Sequence, residues 1–190
     1  MSRRATWLAV AACVAVGGVL RAIPCTNDFW LDEIWTYWDA LRLHSPLEVF
    51  TGIHHSNNHH LNTLLFYLLG DQRAWAVYRL PSLAAGIATL GLGARLGARR
   101  GRLEAVLAAG LLATSFPLVH FSSEARGYSL AVCFALGALL ALLRFRERAR
   151  ALDAALFAAC TSLGLLAQLV SVFSWAGALA LSALDLAREP

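Results

Sequence analysis

The chain has 190 residues, 58% of them hydrophobic, and a mean hydropathy of +0.59, well above a soluble domain, where about 45–50% apolar content is usual. All sixteen cationic side chains are arginine; with no lysine, a Walker A loop and a lysine Schiff base are both excluded. The net charge of +4 does not point to nucleic acid, because the arginines fall in short clusters between apolar stretches and form no basic face. Cys13, Cys25, Cys133 and Cys160 have no CxxC spacing, which argues against a disulfide framework and a zinc site. The composition predicts an all-α polytopic membrane protein, with residues 1–190 as one transmembrane domain.

Residues 7–23 are long enough to cross a bilayer, and Arg3-Arg4 before them predict a cytoplasmic N-terminus. Arg21-Ala22-Ile23-Pro24 offers no small-residue cleavage site, so this first span is expected to stay uncleaved. The outer region that follows, to about residue 78, carries Asp28, Asp32, Glu33, Asp39, Glu48 and Asp71 against only Arg42 and Arg73.

Within it, residues 29–43 (FWLDEIWTYWDALRL) predict an amphipathic helix in the membrane interface. Leu31, Ile34, Trp38 and Leu41 share one face, and Asp32, Thr36 and Asp39 the other. Asn27 or Asp28 is the expected cap, His44-Ser45-Pro46 the stop, and Asp32 and Glu33 are expected to face water at headgroup level. Placed there, the two acids also complement the positive helix N-terminus, by about 0.3–1 kcal/mol. Residues 61–69 predict a second interfacial helix, with Leu61, Leu64, Leu65 and Leu68 on one face and Gly70 as its stop.

A span at 80–96, with Pro81 in its first turn, leads to Arg95, Arg99, Arg100 and Arg102. Residues 103–121 run outward to the polar loop at 122–126, and 128–143 return to Arg144, Arg146, Arg148 and Arg150. Residues 152–186, interrupted by Gln168, Ser171 and Ser174, are too long for one span and too short for two full ones. A tight hairpin of two short helices is the expectation, and one long tilted helix the alternative.

Three polar clusters share the outer surface on this topology: Asp32-Glu33, the run HHSNNHH at 54–60, and Glu124 with Arg126. Charge at the ends of apolar spans is costly and usually functional. No cysteine stands near the histidines to complete a zinc site, and Asn57 and Asn58 suit a turn and a cap for the next helix. Tyr78-Arg79-Leu80-Pro81 reads as an interfacial anchor, an aromatic ring beside a snorkelling arginine.

The acidic pair after the first span, the His/Asn segment leading into LNTLLFYLLG, then YRLPSLAAG and FSSEARGYSL together resemble the GT-C glycosyltransferases. More narrowly, the chain is similar to family 39 type enzymes, the protein O-mannosyltransferases and aminoarabinose transferases. Members are usually longer, so the chain resembles the N-terminal part of one or a truncated relative, with a further C-terminal part or a partner subunit expected. Asn58-His59-His60-Leu61-Asn62 stands where many relatives carry His-Pro-Pro.

The resemblance implies a GT-C-like helix bundle in the inner or plasma membrane that transfers a sugar, with inversion, from a polyprenyl-phosphate donor to an acceptor on the extracytoplasmic face. Asp32 would act as general base with Glu33 beside it. Arg126, oriented by Glu124 and joined by Arg79, would hold the donor phosphate. Asn57, Asn58, His59 and His60 would contact donor or acceptor. No cofactor and no defined metal site are expected from the residues, and a divalent metal is left open. A second reading makes the chain a non-catalytic scaffold or a transporter-like subunit. Against transport, the charged residues gather at one interface and avoid the bilayer midplane.

Overall fold

Ser2 begins the first helix, its hydroxyl accepting from the Ala5 N–H at 3.2 Å, and α1 (Arg3–Ala22) then runs unbroken into a 3₁₀ turn at Ile23–Thr26. The computed structural model describes residues 1–55 and 57–186, and among these there is helix and no strand. The further helices are α2 (Leu31–Arg42), α3 (Glu48–Thr51), α4 (His60–Leu69), α5 (Ala76–Gly97), α6 (Arg102–Thr114), α7 (Phe116–Ser122), α8 (Gly127–Arg148), α9 (Ala151–Ala167) and α10 (Val172–Leu186).

Among the described residues two stretches, Arg3–Thr26 and Gly127–Arg148, are long and apolar enough to cross a membrane. The helix expected at 80–96 forms as α5 but is not one of them: its course holds Arg79, Arg95 and four glycines. It is the central post of the bundle, packed by α1, α6 and α8. Small residues permit this. Ala94, Ala105 and Ala109 are fully buried, and a Cβ on Gly97 would stand 2.4 Å from the Glu104 carbonyl.

The continuous span expected at 103–121 is instead broken. α6 and α7 meet at Ser115 with a bend of 62°, and counted as one bent span they bring the membrane-crossing candidates to three. The cause is Pro117, which has no N–H to donate to the Ala113 carbonyl one turn earlier. Arg21 takes over that role. Its side chain is fully buried, and its guanidinium donates to the Leu112 carbonyl at 2.8 Å, the Ala113 carbonyl at 3.1 Å and the Gly17 carbonyl at 2.9 Å. A cation inside an apolar run thus replaces the helix hydrogen bonds that the proline forbids.

The tight hairpin expected at 152–186 is open. The chain breaks at Gln168 and a 3₁₀ turn (Leu169–Ser171), and α8, α9 and α10 enclose an apolar cleft of about 330 Å³ between residues such as Phe134, Phe157, Cys160, Trp175 and Leu181.

The helix at 29–43 begins later than expected and is not capped by Asn27 or Asp28. Trp30 is its N-cap, and Glu33 reaches back to accept the Trp30 N–H at 2.9 Å. Leu31, Ile34, Trp35 and Trp38 lie exposed, whereas Glu33, Thr36 and Ala40 turn inward. The apolar face is therefore outermost, as an interfacial helix requires. Phe29, Tyr37, Phe66, Trp75 and Tyr78 stack into one aromatic cluster that ties α2 and α4 to α5, with Phe66 and Tyr78 at 4.5 Å. The Tyr37 hydroxyl donates to Asp71 at 2.8 Å, which pushes the phenol up to about 12. In α4 the buried face is Asn62, Thr63 and Phe66 rather than the leucine stripe, and Gly70 ends the helix at φ 64°.

The bundle has two chemically distinct ends. The start of α1, the α5–α6 turn and the α8–α9 turn meet at one end, where Arg102 donates to the Met1 carbonyl and Arg99 pairs with Glu147. At the other end α2, α4 and the 123–126 loop come together.

Candidate functional site

The second end holds the charged residues that the sequence singled out, sorted into two groups with different surroundings. The first group is fully buried. Glu33 and Arg79 form a two-point ion pair, Nε to Oε1 at 2.9 Å and Nη2 to Oε2 at 2.7 Å. The Glu33 carboxylate also accepts the Ala125 N–H at 2.6 Å, and Arg79 donates to the carbonyls of Pro24, Cys25, Asn27 and Asp28. This pair fastens α2, α5, the turn after α1 and the loop before α8 at one point.

Two expectations are corrected here. Arg79 does not snorkel to an interface and offers no free donor to a phosphate, since each of its nitrogens is bonded within the protein. Glu33 does not face water beside Asp32. Neighbouring residues on a helix point about 100° apart, so an acidic pair in sequence is not a pair in space.

The second group is half-open. Arg126 Nη1 pairs with Asp32 Oδ2 at 2.9 Å; the aspartate side chain is 46% exposed and the arginine 18%. Arg126 Nη2 donates to Asn57 Oδ1 at 3.3 Å and Tyr128 Oη at 3.4 Å, and the guanidinium lies 4.8 Å from the Tyr128 ring centre. Asn57 donates in turn to the Asp32 carbonyl at 2.9 Å. α2, the 54–60 run and the start of α8 are thereby joined around one guanidinium. Behind it, buried His59 stands 5.5 Å from the Tyr128 ring. Arg126 Nε and His59 Nε2 are both buried and have no hydrogen-bond partner among the described residues. Both residues touch the Tyr128 ring, and these two buried atoms are exceptions to the rule that buried polar groups are hydrogen-bonded.

Glu124 does not orient Arg126. It is buried and lies 3.2 Å from His120 Nε2, one helical turn before it, while Arg126 turns away toward Asp32. Burial raises the Glu124 carboxyl, against the pull of His120 and, more weakly, of Arg126 and Arg79. Asn58 and His60 also leave the group. Asn58 donates to the Val49 carbonyl and accepts from the Thr63 hydroxyl, pinning the 44–59 segment, and His60 stacks on Phe50. Neither asparagine caps α4; His59 holds that position.

The chain matches no protein-family model, no curated protein and no solved structure.

The site also contains residues that sequence reasoning did not assign. Asn62 donates to the Ala125 carbonyl at 2.7 Å, and Ser82 to the Arg126 carbonyl at 3.1 Å, so the loop carrying Arg126 is held by its backbone. Gly127 permits the approach: a Cβ there would stand 1.8 Å from the Ala167 carbonyl and 3.3 Å from His59. His120 had a readable signal, the i, i+4 spacing to Glu124. Among the described residues, no three His, Cys, Asp or Glu side chains gather closely enough to hold a metal ion.

Burial, followed by the Arg126 charge, pushes the His59 imidazole below its ordinary range, against Gln168 and Asp32, which push the other way. The unfolded chain therefore binds this proton more readily than the folded one. Stability is complete at neutral pH and is lost as pH falls through the unfolded value near 6.5. Glu124, raised by burial, acts with the opposite sign at lower pH. Thermal unfolding between pH 7 and 5.5 is expected to show a decline that His59→Asn flattens. An unchanged slope in that variant would mean His59 is not buried as described.

Proposed function

We propose that the chain is a multi-pass membrane glycosyltransferase, or the N-terminal part of one, acting at the end of the bundle where Asp32 meets Arg126. The observation that carries this reading is that ion pair. Its two charges come from segments 94 positions apart in sequence, sit half-open, and leave Arg126 Nε unsatisfied. The structural pair beside it, Glu33 with Arg79, is closed on all sides, so the half-open pair is the one that can exchange partners.

In this proposal the donor's phosphate competes with Asp32 for the guanidinium, whose planar fork suits a phosphate. Donor binding then frees the carboxylate. The acceptor hydroxyl attacks the anomeric carbon, the bond from that carbon to the phosphate oxygen breaks, and its electron pair leaves with the polyprenyl phosphate. The hydroxyl proton passes to Asp32 as the new bond forms. Arg126 meets the charge that develops on the phosphate. The apolar cleft between α8, α9 and α10 supports a lipid-borne donor, because its lining includes Gly164 and Ser171, on either side in sequence of Ala167, whose carbonyl lies against Gly127 next to Arg126.

Donor binding tests the assignment. Affinity for a polyprenyl-phosphate analogue, measured in detergent, is expected to fall on Arg126→Lys, which keeps charge but loses the fork, and to fall further on Arg126→Ala. If the arginine only pairs with Asp32, a partly exposed contact worth about 0–1 kcal/mol, lysine will substitute without effect. Equal affinity across all three proteins would place the donor elsewhere.

The arginine-rich end is assigned to the cytoplasm by its charge. In a cysteine-depleted background, His54→Cys is expected to react with an impermeant thiol reagent from outside the cell, and Arg100→Cys only after permeabilisation. The reverse pattern would remove the site from the extracytoplasmic face.

A further inference from the structure

At the opposite end of the molecule lies a cleft of about 520 Å³ that sugar transfer does not use, bounded by Trp7, Arg95, Arg99, Leu140, Arg144 and Arg148. Arg95 lies in the last turn of α5 and Arg99 in the turn that follows it, while Arg144 and Arg148 are one turn apart on one face of α8, and all four line the same space. Four guanidiniums are opposed there by one acid, Glu147, which pairs with Arg99; four less one leaves a local charge of +3. Like charges converge at a cost unless an anion lies between them.

The walls are graded. Leu140, nearly buried, continues the Arg144 face one turn toward the middle of α8, and Trp7 adds an aromatic wall from α1. These two walls belong to the two stretches long and apolar enough to span a membrane. The cleft therefore sits where those stretches emerge, at headgroup depth, with cations above and apolar surface below.

We infer that this cleft binds the headgroup of an anionic phospholipid, its phosphodiester held by Arg95, Arg144 and Arg148 and its first acyl carbons against Leu140 and Trp7. The inference rests on the membrane reading of α1 and α8 and not on sugar transfer. A free phosphate would use the guanidiniums alone and leave the tryptophan and leucine walls without a role.

The test is native mass spectrometry of the full chain in detergent, with phosphatidylglycerol, phosphatidylcholine or soluble glycerol phosphate added. Phosphatidylglycerol is expected to be retained and the other two not. Each arginine near a phosphate contributes a factor of about five. The triple change Arg95→Gln, Arg144→Gln, Arg148→Gln should then weaken retention by about a hundredfold. Arg4→Gln, Arg100→Gln, Arg150→Gln, with the same charge loss outside the cleft, should leave it within about twofold.

Equal weakening by both triples would overturn the site in favour of general surface attraction. Retention of phosphatidylcholine, or equal binding of glycerol phosphate, would overturn it as an anionic-lipid site. If the cleft triple loses helicity, Arg144→Gln alone is read for its about fivefold effect, and no effect overturns the proposal. Release of the wild-type chain from membranes by alkaline wash would instead remove the membrane reading beneath it.

Discussion

Glu33→Ala is expected to destabilise the protein by about 3–5 kcal/mol, the cost of leaving one member of a buried ion pair without its partner. Arg79 would remain in the interior, its position still dictated by the carbonyls of Pro24, Cys25, Asn27 and Asp28, with no carboxylate to balance it. The Trp30 and Ala125 N–H groups would lose their acceptor at the same time. Thermal unfolding in detergent, followed by helical circular dichroism, should show a large fall in midpoint and loss of the α2 contribution. Glu33→Gln keeps the shape and should fall between alanine and wild type. Asp32→Ala, one residue away but half-exposed, provides the contrast and should cost at most about 1 kcal/mol. If the two alanine variants lose similar stability, Glu33 is not the fastening point described here.

That contrast shows which parts of this molecule its sequence could disclose. Long apolar runs and arginine clusters are read from order alone, and both α1 and α8 lie where they were expected. The outward apolar face of α2 was likewise readable, because its exposed Leu31, Ile34 and Trp38 follow helical spacing. What order does not reveal is which acid meets which cation. Asp32 and Glu33 differ by one position, yet one pairs with Arg126 and the other with Arg79, because helix rotation aims them at different neighbours.

Two further misreadings have the same origin. Pro117 was visible in the sequence, but the break it makes is tolerable only because Arg21, 91 and 92 positions away from Leu112 and Ala113, reaches the freed carbonyls. Glu124 was assigned to Arg126 through proximity in sequence, whereas residues two apart on a chain seldom face each other and its actual partner, His120, is one turn away. Contacts that close over such distances depend on packing, and a single chain's pattern carries no record of it.

Asp32→Asn is expected to lower transfer by about 10² to 10⁴ while leaving the fold intact, and it separates the two roles that the half-open ion pair can have. The amide fits the same space, so α2 should keep its place, and losing an exposed pair costs at most about 1 kcal/mol. It cannot accept a proton from the acceptor hydroxyl. It also no longer competes as an anion for Arg126, so the donor should bind at least as tightly as to wild type. Reduced turnover with unimpaired donor affinity is thus the signature of a general base that releases its arginine to the substrate. Arg126→Lys should give the complementary profile, with donor affinity lost. Near-normal turnover by Asp32→Asn, measured in the membrane-reconstituted protein together with any partner subunit it requires, would make Asp32 a counter-ion only. The proton would then have to pass to another group at this end, and the site would lose its chemistry while keeping its geometry.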